Sequence, residues 1–124
     1  MRLLARHRCG LVASFCLTLA GLCYARNQSD SLMNGAFRRN ESGWIYVHLQ
    51  GTPGTIGFQH GSLLTAEIED GKKAIELSTT HGVNHSWTEM RKLSDQLFVP
   101  KLTPEYREEL QGIVDGLHAH GSKL

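Results

Sequence analysis

Seven histidines and three cysteines give this 124-residue chain its widest chemical reach. His81-x-x-x-His85 has the four-residue spacing by which one helix face presents two imidazoles to a metal. His118-x-His120 is a second pair. Gly82 and Asn84 place the first pair in a turn, and no carboxylate stands where a general base would be needed. These histidines therefore read as solvated turn and helix-end side chains, and no metal ligand is assigned. His60 sits in a glycine-rich stretch and reads as a helix-packing histidine in preference to a substrate or processing role. The cysteines, Cys9, Cys16 and Cys23, all fall within the first 25 residues.

Other chemistries find less to work with. Gly54-x-x-Gly57-x-x-x-Gly61 opens a helix but lacks both the Gly-Lys-Ser/Thr ending and the dinucleotide spacing that phosphate cradles require. Gly71-Lys72-Lys73 falls in mid-helix among polar residues. No Gly-x-Ser-x-Gly elbow occurs, so a serine hydrolase has no visible nucleophile. Glu108, Glu109 and Asp115 read as a solvated helix face. The chain alone thus presents no catalytic, cofactor-binding or metal residue.

Trp44 to Leu49 alternates, with Ile45, Val47 and Leu49 on one side and Trp44, Tyr46 and His48 on the other. Its β-branched and aromatic content predicts a strand. With neither face strongly polar, an inner strand covered on both sides is expected, and no second strand is evident. Thr52 and Pro53 are a helix start, a capping hydroxyl followed by a proline whose missing N–H costs nothing at the first position. Apolar Ile56, Leu63, Leu64, Ile68 and Ile75 predict one helix from Pro53 to about Thr79, with Gly71 as a bend. Gly57 and Gly61 share a face and imply close backbone approach to the strand or to another helix, since each weakens the helix by about 1 kcal/mol relative to alanine. His81 to His85 is expected to turn. Ser86-Trp-Thr-Glu89 is a capping box opening a helix to about Phe98, with a stripe of Trp87, Met90, Ser94, Leu97 and Phe98. Pro100 ends it. Thr103 and Pro104 start a last helix, with Glu105 in its positive first turn and Tyr106, Leu110, Ile113, Val114 and Leu117 on its apolar face. Gly121 is its stop.

The first 25 residues have a different character. Arg2, Arg6 and Arg8 form a basic start, Leu11 to Cys23 an apolar run, and Cys23-Tyr24-Ala25 offers small residues where a signal peptidase reads. This predicts a secretory signal, too short to span a bilayer comfortably. Its removal would take every cysteine with it. It would also lower the thirteen Lys and Arg to ten, against twelve Asp and Glu. The mature chain would be slightly acidic, with no basic patch for nucleic acid and no stable membrane span. Residues 26–42 are polar and aperiodic and read as a flexible lead-in. Asn27-Gln-Ser, Asn40-Glu-Ser and Asn84-His-Ser match the glycosylation acceptor pattern, which bears only on a eukaryotic secretory route.

Two segments carry a resemblance. Gly51-Thr52-Pro53 followed by Ile56-Gly57-Phe58-Gln59-His60-Gly61, and then Tyr106-Arg-Glu-Glu-Leu-Gln-Gly-Ile-Val-Asp-Gly116, resemble in that order the opening of the phospholipase B-like branch of the penicillin acyltransferase-like N-terminal-nucleophile hydrolases. The likeness spans Gly43 to Gly121. It implies an α+β fold, in which residues 43–124 form the helix-rich N-terminal part of an αββα sandwich, with one strand and about three helices. Such enzymes attack amide or ester carbonyls with a cysteine exposed by self-cleavage, whose own amine is the base. In the family that cysteine lies beyond the Glu-Leu-x-Gly helix, and no position here corresponds to it.

The expectation is an exported fragment, secreted or periplasmic, inactive alone, whose partner is the remainder of a parent hydrolase chain. The alternative is a small secreted helical binding module, which stable monomeric folding with cooperative unfolding would favour. A metal-dependent enzyme built on the histidines is the third, which zinc titration would test.

Overall fold

The computed structural model describes residues 29–82 and 85–124. The predicted signal at 1–25 therefore lies outside the described residues, as do Asn27 and Asn84. The chain divides into two compact units, Met1–Asn34 and Gly35–Leu124. In the first, residues 29–32 are helical, with Met33 N donating to Ser29 O at 3.1 Å. The second is a helix-rich α+β unit.

The unit opens with a β-hairpin. β1 (Phe37–Glu41) pairs antiparallel with β2 (Trp44–His48), from Phe37 opposite His48 to Glu41 opposite Trp44. Two expectations are corrected here. The segment 26–42 contains a strand and is not flexible lead-in throughout, and β2 has a partner and lies largely exposed, not covered on both faces. Phe-Arg-Arg-Asn-Glu has neither β-branched content nor apolar alternation, so its strand state comes from pairing. The two-residue loop puts Ser42 and Gly43 at φ 50 and 84, both positive as in the turns whose twist suits a hairpin. Across the strands, Phe37 stacks on His48 at 5.2 Å, and the Arg39 guanidinium lies 4.6 Å from the Tyr46 ring centre. On the other face Arg38 reaches over to Glu67, with bonds of 2.6 and 3.3 Å, and to the Leu63 carbonyl at 3.2 Å.

Four α-helices and a 3-10 turn follow among the described residues. α1 (Pro53–Leu63) starts at Thr52, whose Oγ1 accepts from Thr55 N at 3.4 Å, with Pro53 in the first turn. The single helix expected to Thr79 is instead two. Leu64 departs from helical geometry at φ −119, ψ 25, and α2 (Thr65–Gly82) begins at the next residue. At the break the Thr65 hydroxyl donates to the carbonyls of Gly61 at 2.7 Å and Ser62 at 3.3 Å. Such back-bonding by Thr bends helices. Gly71 lies within α2 without ending it, and α2 includes His81 and Gly82, which had been expected to turn.

α3 (Trp87–Leu97) has the expected capping box. Ser86 Oγ accepts from Glu89 N at 3.2 Å, and the Glu89 carboxylate accepts from Ser86 N at 2.8 Å. A 3-10 turn (Val99–Lys101) leads to α4 (Pro104–Ala119), and Arg107 braces the join by donating to Val99 O at 2.7 Å and Leu102 O at 3.1 Å. Gly121, at φ 83, ends α4. Ser122 N bonds Leu117 O at 3.1 Å and Gly121 N bonds His118 O at 3.0 Å, the two reverse bonds of a Schellman close.

Candidate functional site

The two segments that carry the family likeness lie in α1 and α4, and these helices pack against each other. Glycine makes that contact possible. A β-carbon at Gly57 would fall on the Glu109 carbonyl, and one at Gly61 on the Ile113 carbonyl. From the other side, β-carbons at Gly112 and Gly116 would strike the carbonyls of Gly54 and Phe58. Each helix thus presents two glycines four residues apart to the backbone of the other. At so close an approach, Cα–H groups face carbonyl oxygens, a weak attraction that recurs at helix–helix crossings. The Glu-Leu-x-Gly segment therefore packs on α1, and of the two neighbours expected for Gly57 and Gly61, strand or helix, it is the helix. The reason is that both faces carry small residues in matching register.

Phe58 and Leu117 flank this seam at 7% and 3% exposure. Gln59 is fully buried, and its Oε1 accepts the Gln50 backbone N–H at 2.8 Å. That bond ties the end of the β2 segment to the middle of α1, so the buried amide fixes where the helix stands relative to the hairpin. A buried acceptor left without such a donor would cost about 1–3 kcal/mol. Ser62 Oγ is also buried in the seam and has no hydrogen-bond partner among the described residues. It is sealed from any substrate, and the small size of serine is what the crossing uses, since a β-carbon at Gly116 would come within 2.9 Å of Ser62 N.

The histidines do not converge. His81 Nδ1 lies 3.0 Å from Leu77 O, in the last turn of α2. His85 is beyond that helix, 3.9 Å from the Glu89 carboxylate. His118 Nε2 is 2.8 Å from Leu124 O, and His120 Nδ1 is 3.1 Å from Gly116 O. Each ring serves its own helix end or the tail beside it. Among the described residues no group of three His, Cys, Asp or Glu is placed to hold a metal. His60 lies half-buried in the last turn of α1.

The remaining candidates have structural partners. Gly54, Gly57 and Gly61 are turned to α4 and leave no phosphate cradle. Lys72 pairs with Glu76 at 3.1 Å and Lys73 with Asp70 at 3.0 Å. Asp115 accepts from Gln111 at 2.9 Å. Ser122 Oγ donates to Glu69 at 2.7 Å, anchoring the close of α4 to α2. Two ionisation shifts are resolved. The Glu89 carboxyl sits below its ordinary value because it accepts the Ser86 N–H, then the Ser86 hydroxyl, with His85 adding a smaller pull. Lys73 sits above its own, chiefly through its hydrogen bond to Asp70 and then the charge of that carboxylate.

Two features were not found by sequence reasoning. The buried role of Gln59 had only its place between apolar Phe58 and Gly61 as a signal. An open groove of about 360 Å³ runs along α3, lined by Trp87, Met90, Arg91, Ser94 and Asp95. The apolar stripe of α3 was legible, but the helix buries no residue, and Phe98 beyond it remains 63% exposed.

No protein-family model, curated protein or solved structure matches the chain. Among the described residues no helix is long and apolar enough to cross a membrane.

Proposed function

We propose that this chain is the exported N-terminal segment of a cysteine N-terminal-nucleophile hydrolase of the phospholipase B-like, acyltransferase-like kind, acting on amide or ester bonds, and that it is catalytically silent alone. The observation that supports this reading is the α1–α4 seam. The two separated segments that resemble the family meet through Gly57, Gly61, Gly112 and Gly116, so each motif's glycines have a shared purpose. The segment acts as scaffold: Gln59 sets the hairpin on α1, and the paired helices form one wall to which the catalytic sheets would add.

The chemistry needs a thiolate, a free α-amine beside it and oxyanion donors. Residues 26–124 contain no cysteine. The hydroxyls of Ser62 and Ser122 are, respectively, sealed in the seam and bonded to a carboxylate. Purified exported chain should therefore show no turnover of thioester, amide or phospholipid substrates. Turnover that persists on repurification, resists thiol reagents and is lost on substitution within 26–124 would overturn the reading. The nucleotide sequence beyond the Leu124 codon tests the parentage. A continuation, in frame or shifted, that encodes a cysteine followed by further strands is the expected result, and unrelated sequence there counts against it.

A further inference from the structure

We infer that two copies of this chain associate by pairing the outer edges of their β2 strands, antiparallel about Tyr46, into one four-stranded sheet. Three observations carry this, and none depends on the hydrolase reading.

The first is the direction of the backbone groups. The two-residue loop makes Glu41 and Trp44 the closing hydrogen-bonded pair. Bonded and non-bonded pairs alternate along an antiparallel ladder. Arg39 and Tyr46 therefore exchange bonds within the hairpin, while the N–H and C=O of Ile45 and Val47 turn outward. Among the described residues, neither Ile45 nor Val47 makes a backbone bond to any element outside the hairpin.

The second is the contrast between the two edges. β1 carries Arg38, Arg39 and Glu41, and Arg38 is held by Glu67. Self-pairing there would set guanidinium against guanidinium. β2 is Trp-Ile-Tyr-Val-His, with no Lys, Arg, Asp or Glu and no proline or glycine. It lacks the charges, bulges and prolines by which edge strands are normally kept from pairing.

The third is register. A two-fold axis through Tyr46 sets Ile45 opposite Val47 of the second copy, and Val47 opposite its Ile45. All four residues point their backbone groups into the new interface, so each pair exchanges both of its bonds. Trp44, 79% exposed, then lies across from His48 of the second copy, and Tyr46 faces its own counterpart. Aromatic cross-strand pairs of this kind add to sheet stability. The surface is isologous and closes on itself, which suits a dimer and does not propagate a fibre.

Sedimentation velocity on the exported chain, across a concentration series, should show a monomer–dimer equilibrium. Tyr46→Lys places like charges together at the axis, and Tyr46→Glu does the same with the opposite sign, so each alone should weaken association at least tenfold. An equimolar mixture of the two should restore a dimer. Val47→Pro removes an outward N–H while sparing the hairpin's own bonds, and should weaken association likewise. A second readout needs no variant. In the wild-type chain, protection of the Ile45 and Val47 amides against exchange should rise with concentration, while that of Tyr46, already bonded to β1, should not. A single-copy mass at every concentration overturns the inference. So does association that both Tyr46→Lys and Val47→Pro leave intact, or Ile45 and Val47 amides whose exchange ignores concentration.

Discussion

Gly61 shows how little room the α1–α4 crossing leaves at the scale of one residue. Its missing β-carbon is replaced in space by the Ile113 carbonyl, which is backbone and cannot swing aside. Gly61→Leu should destabilise the unit by about 3 kcal/mol, the upper end for overpacking. A denaturant midpoint equal to that of the parent would show that the helices do not cross here. Ser62, one residue on, makes the opposite prediction. Its hydroxyl is buried without a partner, and a buried unsatisfied group carries its full desolvation penalty. Ser62→Ala should be neutral or stabilising by about 1 kcal/mol, read from the same midpoint. Marked destabilisation would mean that the hydroxyl has a partner in solution.

At the scale of the element, α3 depends on its cap more than on its neighbours, since it buries no residue. Glu89 has a lowered pKa because the ionised carboxylate accepts from Ser86. A group depressed in the folded state stabilises fully above its unfolded pKa, near 4.5, and loses that contribution as pH falls through the lower folded value. The helicity of α3 should therefore drop with acidification across that window. Glu89→Gln keeps a capping amide oxygen and should flatten the dependence. Chemical shifts of the Ser86 and Glu89 amides, followed from pH 7 downward, would report it, and an unchanged profile in the glutamine variant would assign the transition elsewhere. The break between α1 and α2 belongs to this scale too. Leu64 leaves helical geometry there and divides what periodicity alone presents as one helix.

Across the unit Gly35–Leu124, the buried hydrophobic residues are few: Phe58 and Leu117 among those described, with Trp44, Leu77, Leu97, Phe98 and Tyr106 all exposed. A domain of this size has little apolar surface to spare, and here the hairpin and α3 leave much of theirs in solvent. At this scale also stands the expected loss of residues 1–25 on export. Mass spectrometry of exported material should find Arg26 first, and intact chain in a membrane fraction would point to an anchor instead.

Local rules were enough for much of this. Thr52-Pro53, the Ser86–Glu89 box and Gly121 mark helix ends in the sequence because capping involves residues at most a few positions apart, while at Thr103-Pro104 the mark is the proline in the first turn, the Thr103 side chain making no capping bond. β2 was legible from its own alternation, and the close approach at Gly57 and Gly61 from the presence of two glycines where a helix would prefer alanine. Tertiary structure decided the rest. β1 is a strand only because Phe37, Arg38 and Arg39 find partners on β2 and α2, none of which its own residues announce. The partner of the glycine face was settled by Gly112 and Gly116, some fifty positions away. Gln59 became a buried anchor only when the chain folded back to bring Gln50 beside it. Pairings between segments distant in the chain depend on which surfaces meet, and periodicity within one segment does not contain that information.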